Sequence, residues 1–415
     1  MSSPATPISA QERIYTLDVI RGFALLGIFI MNMPTFNVSL FASVLNPEQF
    51  PGRLDQWVAT GGEVLFSGKF NSMFSMLFAI GFTIQLERLE ARDPARSKAI
   101  YLRRIFWLFV FGVIHACVFW TGDVLHIYAL FGLVLLALRR APDKVLWTLF
   151  GLCLLYPAGM GIYRVLTFDP AERAAWMVVI KSWDATNNAA YGHGSFLAAA
   201  REHTREMMFN FTDPRMLLIM TRFYVAIFST MILGLLLGRH HFFQNSAHYL
   251  PRVRRAQWWT LALGVVTGVV FGIWEATVTD MLTPTPFRVV ASVCYILCRV
   301  SIMAFYVATI VRAVHHEGWR RRLAPMAAAG RMPLTNYLLQ TLIATFLFYG
   351  WGLGFWGRVG PALDLVLAFA IFFAIQVPLS KWWLARFELG PMEYLWRRLS
   401  YGRAGVVHPT PAAAR

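Results

Sequence analysis

Apolar runs of the length needed to cross a bilayer, about 20 residues, recur along the whole chain. They fall at roughly 14–36, 60–86, 103–121, 124–139, 143–165, 216–238, 257–279, 287–312, 333–355 and 361–385. Hydrophobic residues make up 57% of the sequence and charged ones only 14%, too little charge to cover a soluble surface of this size. In a bilayer each backbone polar group must be satisfied within its own segment. The pattern therefore predicts an all-α polytopic membrane protein with about ten transmembrane helices in one bundle. Its first partner is the lipid bilayer.

A formal charge of +16 invites a nucleic-acid reading, but its placement argues otherwise. Arg88, Arg92, Arg96 and Lys98 fall between the second and third runs, and Arg139, Arg140 and Lys144 between the fourth and fifth. Arg252, Arg254 and Arg255 follow the sixth run, and Arg320, Arg321 and Arg322 the eighth. Every second connection is basic, whereas the alternate ones, such as "TGD" at 121–123, are not. The positive-inside rule then predicts cytoplasmic termini. No nucleic-acid motif is present.

The expected organisation is a leader over 1–13, one transmembrane domain over 14–403, and a disordered Pro/Ala-rich tail over 404–415. The leader is polar and lacks a cleavage-site pattern, so the first apolar run is expected to stay in the protein. The one long connection, 166–215, is expected outside as a lid. It reads as amphipathic helices over "DPAERAAWMVVIKSW" and "GSFLAAAREHTREMMFNF", with "DATNNAAYGHG" as a loop between them. Cys117, Cys153, Cys294 and Cys298 lie inside apolar runs and read as packing residues, and no metal-ligand spacing is visible.

Polar side chains inside spans are costly and converge on cavities or on each other. Asp18 and Arg21 lie near the cytoplasmic end of the first run, with Arg331, Asn336 and Gln340 at similar depth. His115, Arg299 and Gln376 fall mid-membrane; Asn32, Glu63, Lys69, Asp123, His126, Arg222 and Glu275 lie nearer the outside. Imidazole has an unperturbed pKa nearest neutrality, which makes mid-membrane His115 the candidate base and Asp123 a candidate orienting partner. Arginine grips phosphate bidentately, so Arg21 is the candidate anchor for a diphosphate donor such as acyl-coenzyme A, with Asp18 bracing it.

"LDVIRGFALLGIFIMN", "GKFNSMFSMLFAIGF", "RRIFWLFVFGVIHACVFWTGDVLHIYALFGLVLL", "GRMPLTNYLLQT" and "ELGPMEYLWRRLSYGR" together resemble the YeiB-like bacterial membrane family, domain of unknown function 418. The first run is also distantly similar to the acyltransferase-three and heparan glucosaminide acetyltransferase clan, whose shared opening is an "LD…RG" turn. Arg21 matches the clan's arginine. The acyltransferase-three histidine position is Asn32 here, and the loop 37–59, where the glucosaminide branch carries its histidine, has none. His115 therefore stands in by chemistry, not by alignment.

Two functions follow. The first is a membrane-embedded acyltransferase moving an acyl group from cytoplasmic acyl-coenzyme A to an envelope acceptor such as a glycan. His115 and Asp123 would be catalytic, with Asp18, Arg21, Asn32, Lys69, Arg222, Arg299, Asn336 and Gln340 binding substrate, and no metal. The alternative is a proton-coupled transporter or exporter of a small anionic solute. Either leaves the oligomeric state open.

Overall fold

The computed structural model describes residues 14–46, 49–278 and 283–402; the expected leader 1–13 and tail 404–415 lie outside them. In chain order its helices are α1 Tyr15–Asn37, α2 Ala42–Leu45, α3 Arg53–Leu65, α4 Lys69–Arg92, α5 Ser97–Val118, α6 Leu125–Leu138, α7 Asp143–Leu166, α8 Pro170–Gly192 and α9 Phe196–Thr212. They continue as α10 Pro214–Arg239, α11 Ser246–Thr277, α12 Pro286–Val314, α13 Glu317–Arg322, α14 Ala324–Gly330, α15 Pro333–Phe348, α16 Pro361–Ile371, α17 Val377–Leu384 and α18 Pro391–Tyr401. A π-helical turn, Phe372–Gln376, joins α16 to α17. No strand occurs among the described residues.

Several helices start where the sequence places an oxygen-bearing cap before a proline at the first helical position. Asp169 accepts from Ala171 N ahead of α8, Asp213 from Arg215 N and Met216 N ahead of α10, and Thr285 from Arg288 N ahead of α12.

Tyr15 Oη donates to Arg320 O (2.7 Å), Gln85 Nε2 to Tyr401 Oη (3.1 Å) and Trp396 Nε1 to Arg104 O (2.8 Å). These contacts gather the start of α1, the ends of α4 and α18 and the start of α5 at one face, the terminal face. At the opposite, far face, Gly350 N donates to Tyr191 O (2.7 Å) and Trp356 Nε1 to Asn188 Oδ1 (2.9 Å).

Among the described residues, eight helical stretches are long and apolar enough to cross a membrane. The protein is a polytopic all-α membrane protein. Two of the ten expected runs fold into shorter helices: α6 has 14 residues and α15 has 16. At 1.5 Å per residue they rise about 21 and 24 Å, against a hydrocarbon core of about 30 Å. Arg139, just after α6, pairs with Glu90 on α4, and Glu393 on α18 accepts from Leu334 N and Thr335 N at the start of α15. Both short helices are thus tied to the terminal face. A hollow lies between the start of α6 and the α8–α9 hairpin.

Two expectations change. The run 60–86 is broken at Gly68, which sits at φ +70°, and a Cβ there would meet Tyr295 Oη at 2.6 Å. The expected loop 184–194 is helical as far as Gly192. Thr186 Oγ1 folds back onto Trp183 O (3.0 Å) and Asn187 reaches across to Glu206 (2.6 Å), so tertiary contacts outweigh the loop-like composition.

Candidate functional site

The hollow is a chamber of about 290 Å³ at the far face, near the lower bound of small-molecule sites, roughly 300–1,000 Å³. Asn32 on α1, Asn71 on α4, Asp123 and His126 before and on α6, and Tyr337 on α15 line its lower part. The α8–α9 hairpin roofs it, contributing Trp183, Tyr191 and Glu206, and Trp120 and Trp356 complete an aromatic wall.

At its floor one carboxylate collects four donors. Asp123 Oδ1 meets His115 Nδ1 at 2.9 Å and Tyr337 Oη at 3.4 Å; Asp123 Oδ2 meets His126 Nδ1 at 2.7 Å and His126 N at 3.1 Å. A group accepting from four donors acts as an ionised carboxylate, and it sets both imidazoles in the Nδ1–H tautomer. The two rings then diverge. His115 Nε2 meets Thr341 Oγ1 at 2.9 Å, so both its nitrogens are occupied by protein. His126 lines the chamber, its Nδ1 is held by Asp123, and its Nε2 has no hydrogen-bond partner among the described residues. The imidazole poised to take a proton from a bound molecule is His126. His115 buttresses Asp123, which sits eight residues on because α5 ends at Val118 and the chain turns back through "WTGD".

The other expected site residues separate into groups. Arg21 pairs with Asp18 at 2.7 Å towards the terminal face, its side chain 27% exposed. Arg104, stacked on Trp396 at 3.5 Å, lies within electrostatic reach of both Arg21 and Arg397. Asn336 and Gln340 are buried in a polar column: Asn336 Nδ2 donates to Ser380 Oγ (3.0 Å), Gln340 Nε2 to Gln376 Oε1 (3.0 Å) and Gln376 Nε2 to Asn336 O (2.9 Å). Those amides satisfy one another and hold α15 to the π-helical turn. Lys69 is fully buried and donates to Glu63 O (2.8 Å), Arg299 reaches Ser229 and Arg222 reaches Ser292. None of these three lines the chamber.

Arg21 and the chamber share a helix stripe. Arg21, Ile28, Asn32 and Thr35 recur at i, i+7, i+11 and i+14 on α1, and the last three line the chamber. Facing them, α4 is largely buried except for a half-buried line, Asn71, Phe74, Phe78, Gly81 and Gln85. Its upper end, Asn71, lines the chamber, and a Cβ on Gly81 would come within 3.9 Å of the Arg21 guanidinium.

The family described as protein of unknown function (DUF418) matches residues 237–403. The chain is 31% identical to the uncharacterized protein YxaH of Bacillus subtilis, over 96% of this chain and 97% of that protein. It is 29% identical to the uncharacterized protein YeiB of Escherichia coli, over 95% and 98%. The chain belongs to the YeiB-like DUF418 family. The family match covers the second half of this DUF418 chain, whereas the chamber is built mostly from the first half, which the full-length relatives align as well.

The roof carries groups that sequence reasoning passed over. Glu206 accepts from Thr121 Oγ1 (2.5 Å), Asn187 Nδ2 (2.6 Å) and Tyr191 Oη (2.8 Å), pinning the hairpin to the α5–α6 turn. Burial raises its carboxyl above the usual range against the pull of those donors. Beside it His203 is buried, contacts Thr121 Oγ1 at 3.2 Å, and leaves Nε2 without a partner among the described residues. Burial, aided by nearby His115, pushes His203 down to about 3. An unfolded histidine titrates near about 6.5, so below that pH the unfolded chain binds a proton the native hairpin refuses. Stability from this residue is therefore lost on acidification from pH 7 to pH 5, with a limiting slope of about 1.4 kcal/mol per pH unit. Glu206 has the opposite sign, because its raised carboxyl binds protons in the native state first. In thermal melts of the purified protein, His203→Phe is expected to flatten the loss between pH 7 and pH 5; an unchanged slope would refute the assignment.

Proposed function

We propose that the protein is a membrane-embedded acyltransferase whose chemistry takes place in the far-face chamber, with His126 as general base. The observation that supports it best is the His126 ring, oriented by Asp123 in the lining of an aromatic chamber and with its second nitrogen left without a protein partner among the described residues. An acceptor hydroxyl or amine placed there loses its proton to His126 Nε2 as its heteroatom attacks the carbonyl of a thioester. The new acyl bond forms, the carbon–sulfur bond breaks, and the departing thiolate takes the proton from His126. Trp120, Trp183 and Trp356 offer flat apolar faces suited to a sugar ring, which favours a glycan or similar envelope acceptor.

The donor in this reading is acyl-coenzyme A. Its phosphates dock at Arg21, braced by Asp18 and joined by Arg104 and Arg397, and its acyl arm follows the half-buried α4 line towards Asn71 and Asn32. In this reading the terminal face, which carries the basic connections, lies on the cytoplasmic side of a bacterial plasma membrane, in line with the positive-inside rule, so donor and acceptor approach from opposite sides.

The test uses purified protein in nanodiscs, labelled acetyl-coenzyme A and simple glycoside acceptors. Arg21→Gln is expected to raise KM for the donor about tenfold or more while kcat is kept, because the contact is uniform binding remote from the bond made. Transfer that proceeds equally well without Arg21 would remove the donor route. A proton-coupled transporter of a small anion is the second reading, favoured by the π-helical turn beside Gln340 and Asn336. Solute flux in liposomes without any coenzyme A binding would establish it instead.

A further inference from the structure

Three arginines meet at the far-face end of α7, α10 and α12, away from the chamber. Arg164, Arg222 and Arg288 line a notch with room for about 20 Å³ and, among the described residues, with no carboxylate in its lining. That space admits a water or two, hence the oxygens of an anion whose body stays outside. One stripe of α12 carries Arg288, Ser292, Tyr295 and Arg299 at i, i+4, i+7 and i+11. Side chains bridge it to α10 twice: Arg222 donates to Ser292 Oγ at 3.1 Å, and Arg299 to Ser229 Oγ at 3.4 Å. The two bridges lie seven residues apart, about 10 Å along the helices.

At the lower bridge Arg299 is 4% exposed, and its Nε is buried without a hydrogen-bond partner among the described residues. The seam thus descends from three half-buried guanidinium groups to a buried one with a donor unused. Arg288 has Glu275 within electrostatic reach, whereas Arg164 and Arg222 act on one another as like charges; in a weakly screening interior they repel, and an anion in the seam relieves that repulsion.

The surroundings identify the kind of anion. Met160, Leu218 and Val289 form apolar walls of the notch. Of the 24 residues of α7, only Leu146 and Pro157 are buried, so this helix faces the bilayer along its length. A molecule reaching the notch from the lipid side brings a chain for those walls and a phosphate for the arginines, which bind it bidentately. We propose that the α7–α10–α12 seam is a binding site for the phosphate headgroup of a membrane lipid at the far face. The site is separate from the chamber and does not rest on the acyl-transfer reading.

Native mass spectrometry of the detergent-purified protein, titrated with dioleoylphosphatidylglycerol, tests it. Wild type is expected to retain a bound lipid that Arg164→Gln/Arg222→Gln loses about tenfold or more. The control Arg140→Gln/Lys144→Gln, on the terminal face, should keep it. Dioleoylglycerol, with the same chains and no phosphate, should not compete. Should the double variant not fold, Arg164→Gln alone, at the half-exposed rim, serves, together with the thermal shift of wild type by the phospholipid over dioleoylglycerol. Equal retention by wild type and variant, or equal competition by dioleoylglycerol, overturns the site. Displacement by millimolar inorganic phosphate, with no preference for the lipid, overturns the lipid assignment in favour of a soluble anion.

Discussion

His126→Ala is expected to lower kcat for acyl transfer by about 10²–10⁴-fold, the usual contribution of a positioned general base. Donor affinity should stay close to wild type, and Tm should fall less than in Asp123→Asn. The separation of effects follows from the geometry. His126 gives Asp123 one of its four hydrogen-bond donors through the ring, so its loss removes a proton acceptor from the chamber lining and a single strut. Asp123→Asn should be slow as well, because an amide cannot accept from all four donors and both imidazoles lose their common tautomer. That variant should also melt earlier, since it strands buried donors. His115→Ala should cost more in stability than in rate, because Thr341 and Asp123 occupy its ring. Added imidazole should partly restore His126→Ala and leave Asp123→Asn slow. If His115→Ala abolishes turnover while His126→Ala keeps it, the roles are reversed and the base lies behind the chamber wall.

How far the sequence carried can be judged from these residues. The spans were legible because bilayer thickness imposes a length that survives in any single sequence, and the alternating basic connections ordered them. The chemistry was half legible. Asp123 with His126 three residues on is a local signal, one turn of helix between a carboxylate and the ring it can orient. Depth alone favoured His115, and nothing near His115 in sequence announces Thr341, 226 residues away, which occupies its second nitrogen.

Distance in the chain also hid the dispersal of Arg222 and Arg299, whose partners lie 70 residues away on other helices, whereas Lys69 folds back onto Glu63 O, six residues before it. The α8–α9 roof was visible as two amphipathic patterns. Its buried face, with Glu206 and His203, depends on Thr121 from the preceding turn. The chamber draws its lining from α1, α4, α6, α15 and the α8–α9 hairpin, far apart in the chain, so the apolar runs do not record it.

The largest effect on folding is expected where α1 crosses α14. Two glycines leave the backbones almost touching: a Cβ on Gly330 would lie 1.9 Å from Asp18 O and 2.7 Å from Gly22 N, and one on Gly22 would lie 2.1 Å from Met326 O. Small residues drive such close packing in membranes, where helix association cannot draw on hydrophobic burial. No rotamer change relieves a clash with backbone atoms, so Gly330→Val must push the helices apart, at a cost of about 3 kcal/mol or more. Set against a total stability of about 5–15 kcal/mol, that is a large share of the margin, read as a large fall in Tm and a smaller monodisperse peak in detergent. Gly151→Val is the matched control: it lies mid-α7, where a Cβ meets nothing within 4 Å, and should accumulate normally. Because Asp18 O is the atom struck, any Gly330→Val protein that survives should also bind donor poorly through a displaced Asp18–Arg21 pair. Wild-type levels and melting of Gly330→Val would mean that α1 and α14 do not cross this closely, and the seat of Arg21 would have to be redrawn.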